Sequence, residues 1–373
     1  MTSLRRLVAA LAPLALAACA ASPDAADDPA FGAEDVTVRG DGYFTVARDE
    51  RRCPSPACGG YFVTPVNASS LRCADGTVAP RCYVAALDLA PLGLPAGVRD
   101  AVADGFASHV FFGRVAGVSE HAFGVLRLAE AWRSTTGGLP TQSVSRISTT
   151  GTTCAFLPCE RLAMRRLNSA TSALPILGVD VSALRLADEP RDAVLGAATR
   201  DAGVLVSGVR STLPGSPSTV RVPFLRAAQA FLRVTAPDAP RRCDRALQQG
   251  LAEVTERLLF TSETDAPFTW FARSTWRALP TDAALRAALG VPGDARVERV
   301  TLDHVLRNAT VNLDGTLDQE HRAARFRQLQ RTLVRELSGV TVYRVGTVQV
   351  RVFILGLTRC GTVAGLETLA VET

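Results

Sequence analysis

Lysine is absent from all 373 residues, so the positive charge rests on 41 arginines. Set against 36 acidic residues this leaves a formal charge of +5, and no basic cluster interleaved with aromatics marks a nucleic-acid surface. Histidines number four, at 109, 121, 304 and 321, each isolated in the sequence. There is no Gly-x-Ser-x-Gly elbow, no phosphate-cradling P-loop and no His-Glu-x-x-His pair. Those absences remove the local signatures of esterases, nucleotide-binding enzymes and zinc peptidases. We therefore expect a protein that is not an enzyme, takes no cofactor and does not bind nucleic acid directly. Beyond the N-terminal run, no apolar stretch is long enough to cross a bilayer.

What is present is an apolar content of 47% over a length sufficient for two or three domains with cores of their own. Arg5-Arg6 followed by the apolar run Leu7 to Ala18 has the charged and hydrophobic parts of a secretory signal. Leu16-Ala17-Ala18-Cys19 resembles a bacterial lipobox, which implies removal of residues 1–18, acylation of Cys19 and a membrane tether through its lipid. An ordinary signal peptide cut after an Ala-x-Ala site is the other reading. Ala20 after Cys19 fits sorting to the outer membrane, hence a cell-envelope location on its periplasmic or surface face. Residues 19–35, rich in Ala, Asp and Pro, read as a flexible acidic tether.

Nine cysteines are odd in number, and setting Cys19 aside leaves eight, which in an exported chain implies disulfides. Spacing favours Cys53 with Cys58, Cys73 with Cys82, Cys154 with Cys159, and Cys243 with Cys360. A zinc site is the competing reading, opposed by the absence of a nearby histidine and by the oxidising compartment.

The region after the tether is duplicated. Cys53-x4-Cys58 recurs as Cys154-x4-Cys159, and Asn67 recurs as Asn168, both 101 residues on. Leu87-Asp88-Leu89 answers to Val179-Asp180-Val181, and Leu126 to Trp132 answers to Leu225 to Phe231. The first copy carries an extra segment around Cys73, Asp75-Gly76 and Cys82 that reads as a disulfide-pinned hairpin. Short alternating segments, Tyr43 to Val46, Tyr61 to Val63, Val110 to Val115 and Val204 to Val209, argue mainly for strands. We expect two mainly-β repeated domains, residues 36–135 and 136–238, packed or strung together. Asp88 and Asp180 could be ligand groups, but turn-satisfying roles are the commoner use of such residues. The Cys-Pro-Ser-Pro-Ala-Cys-Gly-Gly segment and its sequel resemble an uncharacterised domain family of exported bacterial proteins. Pro237 to Pro240 is the domain boundary.

Residues 241–373 read as an α+β domain, helices first and a hairpin last. Leu247, Leu251, Val254, Leu258 and Leu259 recur at helical steps, and Thr281-Asp282 opens a helix that stops at Gly290. Leu302-Asp303 introduces a third helix. From Gln319 to Leu337 a longer one turns Ala323, Phe326, Leu329, Leu333 and Leu337 inward and its arginines outward. Two β-branched runs pivot at Gly346-Thr347. The Asn312-x-Asp314-x-Thr316-x-Asp318 run lacks the glycine and final glutamate of a calcium loop and reads as solvated.

Within this domain Tyr343-Arg344-Val345-Gly346, Ala364-Gly365 and Val371-Glu372-Thr373 resemble the C-terminal part of the nuclease A inhibitor family. Leu258 to Glu263, Pro267-Phe268 and Ala324-Arg325-Phe326 fall in that family's order, so the likeness covers about residues 243–373. It implies a three-layer α/β/α sandwich whose partner is a secreted or periplasmic, sugar-nonspecific nuclease that uses a divalent metal. The resemblance gives Glu263 the place of the carboxylate directed at the nuclease active site. It gives Thr373 the place of a threonine whose hydroxyl reaches the nuclease metal; the inhibitor holds no metal of its own. It puts Asp314 in the contact loop, where Gly315 stands in place of the family's tryptophan. From Cys243 to Thr373 there are 16 arginines against 15 acidic residues, so this domain is close to neutral. A cell-surface structural or adhesion lipoprotein that reuses the inhibitor fold as a scaffold is the alternative.

Overall fold

A computed structural model describes residues 35–52, 54, 58–118, 121–152, 161–214, 221–236 and 243–372. The first copy runs β1 (Thr37–Val38), β2 (Gly42–Arg48), β3 (Tyr61–Pro65), β4 (Ser70–Arg72), β5 (Val78–Ala79), β6 (Cys82–Val84), β7 (Ala86–Asp88), α1 (Ala96–Asp104), β8 (His109–Val118) and β9 (His121–Ser134). The second runs β10 (Val144–Thr149), β11 (Leu162–Arg166), β12 (Leu174–Ile176), β13 (Val179–Asp180), α2 (Asp188–Ala198), β14 (Val204–Pro214) and β15 (Arg221–Arg233). The segment that only the first copy has forms the β4–β5 hairpin, closed by a disulfide between Cys73 and Cys82.

The two copies share one sheet. Its order, β12-β11-β10-β14-β15-β9-β8-β2-β3-β6, reads the same from either end once the copies are interchanged, with β7 added on β9 and β13 on β15 in parallel. The midpoint is the antiparallel pairing of β9 with β15, Trp132 opposite Arg233 and Ser134 opposite Phe231. The two mainly-β repeats are thus joined edge to edge in one sheet. Each copy alone would leave the end of β9 or β15 as an open edge, and joining the edges pairs their backbone groups. A shared core of Val66, Val110, Trp132, Val144, Leu167, Leu205 and Phe231 lies across the join.

Asn67 and Asn168 show how deeply the copies are interlocked. Both adopt the left-handed conformation, at φ 56° and 53°, which asparagine tolerates better than most residues. Asn67 Nδ2 donates to the carbonyls of Val144 (2.6 Å) and Leu167 (3.1 Å), and its Oδ1 accepts from Val144 N (2.9 Å). Asn168 does the reverse, donating to the carbonyls of Tyr43 and Val66 (both 2.7 Å) and accepting from Tyr43 N (2.8 Å). Each asparagine thus satisfies backbone groups of the opposite copy. Asp88 and Asp180 take equivalent turn roles, accepting from Ala90 N and Ser182 N.

The C-terminal region is mixed α/β: α3 (Asp244–Thr255), β16 (Leu259–Thr261), β17 (Asp265–Pro267), β18 (Thr269–Arg273), α4 (Asp282–Leu289), β19 (Val297–Val300), α5 (Leu302–Leu306), α6 (Leu317–Glu336), β20 (Ser338–Val345), β21 (Gln349–Leu357) and β22 (Val363–Val371). Five strands form a sheet in the order β18-β22-β21-β20-β19. Alternation along β21 feeds both faces: Val350, Val352 and Ile354 join the core under α3, α5 and α6, while Phe353 and Leu355 join the core under α4. Thr281 caps α4 through Ala284 N and Gly290 stops it in the left-handed conformation. A disulfide between Cys243 and Cys360 ties the start of α3 to the β21–β22 turn across 117 residues. In the chain-entropy model a loop of that length contributes up to about 5 kcal/mol.

The outward-arginine reading of α6 holds for Arg335 and fails for Arg325, which is buried, while Arg327 and Arg331 meet α2 of the second copy, along which α6 packs. Asp192 on α2 is wholly buried and receives Arg327 through Nε and Nη2 (2.6–3.0 Å) and Arg331 through Nη1 (2.9 Å). Arg325, 4% exposed, donates to the carbonyls of Val254 and Glu256. Its burial, with Arg200 nearby, pushes its pKa down to about 10. Gly196 makes room for this contact, since a Cβ there would stand 2.6 Å from the Gln328 amide. Among the described residues no helix is long and apolar enough to cross a membrane.

Candidate functional site

Glu263 sits in the tight turn between β16 and β17, and that turn is held at every corner. Thr261 pairs with Asp265, and the Thr261 hydroxyl donates to the Asp265 carboxylate at 2.7 Å. Ser262 N donates to Thr264 O at 3.1 Å, and Arg322 from α6 donates to Thr261 Oγ1. The same turn grips the end of β22. Val371 N donates to Ser262 Oγ at 2.9 Å, and Glu263 N donates to Val371 O at 3.4 Å.

From the other side, the β20–β21 turn closes on the same residues. Glu372 N donates to Val348 O at 2.9 Å, and the Glu372 carboxylate is paired with Arg344, whose Nη1 donates to Glu298 at 3.0 Å. The chain is therefore fixed through Glu372 between two turns more than 80 residues apart in sequence, with the exposed side chain of Glu263 beside it. Glu263, Asp265 and Glu372 gather acidic groups at this end of a domain that is close to neutral as a whole. Carboxylates displayed on braced backbone can offer oxygen ligands to a cation held by a partner, with little reorganisation on binding.

Asp314 lies on a different loop, ahead of α6. The loop is pinned by Asn312 Nδ2 donating to Thr316 O (3.1 Å), by Asp314 N donating to Gln319 Oε1, and by Thr316 capping α6 through Gln319 N (3.2 Å). Asp314 is exposed, and so are Leu313 (66%) and Val311 (48%). The route from this loop to the Glu263 turn is α6 itself, through Arg322 and Thr261. Thus the structure joins the Glu263 turn to Val371-Glu372 directly and leaves Asp314 on a neighbouring element. Thr373, Cys19, Cys53, Cys154, Cys159 and the Pro237–Pro240 boundary lie outside the described residues. Cys58 is disulfide-bonded. No group of three His, Cys, Asp or Glu side chains among the described residues is placed to hold a metal.

Sequence reasoning missed His321. Its isolation in the sequence hid a ring that is 3% exposed in the fold and bonded on both nitrogens to the second copy.

Comparison with known families divides the chain as its folding does. The model described as NuiA, nuclease A inhibitor-like protein, matches residues 245–373. A domain of unknown function, DUF6748, matches residues 42–237, so both copies fall under a single model. No curated protein matches the chain. The C-terminal region is thus similar to an inhibitor-like family.

Proposed function

From a chain that belongs to the DUF6748 family and continues into a nuclease A inhibitor-like domain, we propose a binding protein that masks the active site of a divalent-metal-dependent, sugar-nonspecific nuclease. The observation that carries this reading is the bracing of Val371 and Glu372 between the Glu263 turn and the Val348 turn. Such bracing holds Glu263 next to the strand that leads to Thr373. In this reading Glu263 through its carboxylate and Thr373 through its hydroxyl compete with a scissile phosphate for the partner's metal. Asp314, on its pinned loop, adds a second contact. Gly315 in place of an aromatic residue removes an anchor of the kind that dominates interfaces, so the target differs in the surface it offers there. In this reading the protein is exported and held by a lipid on Cys19 at the outer membrane, where it protects the producing cell.

The test is inhibition of a panel of secreted metal-dependent nucleases by the full chain lacking residues 1–18. Glu263→Ala, and deletion of Thr373, are expected to weaken inhibition of the sensitive nuclease at least about tenfold, or about 1.4 kcal/mol, with melting temperature unchanged. A panel left fully active at micromolar excess of the unmodified protein contradicts the proposal and leaves the scaffold reading.

A further inference from the structure

The contact between the second copy and the C-terminal domain is built around a histidine that can be satisfied only in its neutral form. His321 lies one turn into α6 and is 3% exposed. Its Nδ1 donates to the carbonyl of Leu195 on α2 at 2.8 Å. Its Nε2 accepts from the backbone N–H of Val179 on β13 at 3.0 Å. Both bonds cross from one part of the molecule to the other. An imidazolium carries a proton on each nitrogen, so charging the ring sets an Nε2 proton against the Val179 N–H and removes the acceptor it had. Gly178 lets the backbone approach the ring closely, since a Cβ there would lie 3.2 Å from Nε2 and 2.9 Å from Leu317 Cβ.

The surrounding charges do little to rescue a protonated ring. Burial, the largest influence, pushes the His321 pKa down; the Leu195 carbonyl, Asp318 and Glu320 oppose it. Asp318 is shared with Arg161 at 4.0 Å and Glu320 with Arg327 at 2.8 Å. On α2, Asp192 is engaged by Arg327 and Arg331, and on β13, Asp180 accepts from Ser182 N. From α6 itself, Arg322 and Arg325 are turned to Thr261 and to the carbonyls of Val254 and Glu256.

We propose that this contact is an acid-sensitive joint: protonation of His321 breaks its bond from Val179 N, while the Nδ1–H bond to Leu195 remains, and so loosens α6 against β13. The sign follows from the direction of the shift. A histidine whose folded pKa lies below the usual value of about 6.5 contributes stability in full above that value, and loses it as pH falls from there through the folded pKa. The joint is independent of whether a nuclease is the partner.

The test is amide hydrogen exchange on the full chain lacking residues 1–18, at pH 7 and pH 5, corrected for the intrinsic pH dependence. The amide of Val179 and those of α6 are expected to lose at least about tenfold in protection at pH 5, while the central β9 and β15 amides keep theirs. His321→Gln, whose amide oxygen can still accept from Val179 N and does not titrate, is expected to hold the same protection at both values. Protection at Val179 that is unchanged in the unmodified protein, or an equal acid loss in the Gln variant, overturns the proposal. Should the variant fail to fold, nitrogen NMR of the His321 ring decides. A neutral Nδ1–H tautomer whose titration coincides with loss of Val179 protection supports the joint, and a ring that charges while Val179 stays protected refutes it.

Discussion

Helices α1 and α2 hold the same place in the two copies and carry the same four residues, Arg99-Asp100-Ala101-Val102 and Arg191-Asp192-Ala193-Val194. Their surroundings could hardly differ more. In α1 only Val102 is buried and Asp100 faces solvent. In α2, Asp192, Val194, Leu195, Gly196 and Ala198 are all buried, and Asp192 is the acceptor for two arginines of α6. Past the shared motif the copies part: Gly196, which lets α6 close in, is answered in the first copy by Asp104. One copy has become half of an internal interface and the other has stayed a surface. The chemistry of an aspartate is set by what is packed on it, and a four-residue motif does not say which case applies.

The largest effect should separate the copies. Asp192→Ala removes the acceptor shared by Arg327 and Arg331, whose side chains keep 20% and 39% exposure, and is expected to cost about 2–3 kcal/mol. Asp100→Ala should stay within about 0.5 kcal/mol, as for an ordinary surface position. Denaturant unfolding of both variants checks this; equal costs would remove the asymmetry. A smaller effect should unite the copies. Asn67→Ala and Asn168→Ala each remove three hydrogen bonds to backbone groups, of which one carbonyl keeps a backbone partner, and are expected to cost about 1–2 kcal/mol apiece, by similar amounts. A large cost at one and none at the other, in thermal or chemical unfolding, would show that the crossed asparagines are not equivalent.

Much of the fold could be read from residues alone. The spacing of Asn67 and Asn168 marks the duplication, and the caps at Thr281 and Gly290 and the pivot at Gly346 mark local structure, because each depends on short-range backbone geometry. Strand signals at Tyr43, Tyr61, Val110 and Val204 fall within β2, β3, β8 and β14. Helices α1 and α2 escaped because they are short and rich in Ala and Asp, with little apolar periodicity to detect. The crossing of the asparagines, the single sheet and the engagement of Arg327 and Arg331 by Asp192 escaped for another reason: each depends on a surface contributed from far along the chain. At the candidate site, Glu263 is singled out by family likeness alone. Its bonding to Val371, 108 residues later, was not legible, since backbone pairing leaves no mark on residue type.

Nuclease masking depends on the braced end formed by the Glu263 turn and the last residues of β22. Hydrogen-exchange mapping of the full chain lacking residues 1–18, with and without an inhibited nuclease, tests it most directly. Bound nuclease should protect Ser262 to Asp265 together with Val371 and Glu372, and leave α1 unaffected. Protection confined to α1 or to the duplicated sheet, with the Glu263 turn unchanged, would contradict it.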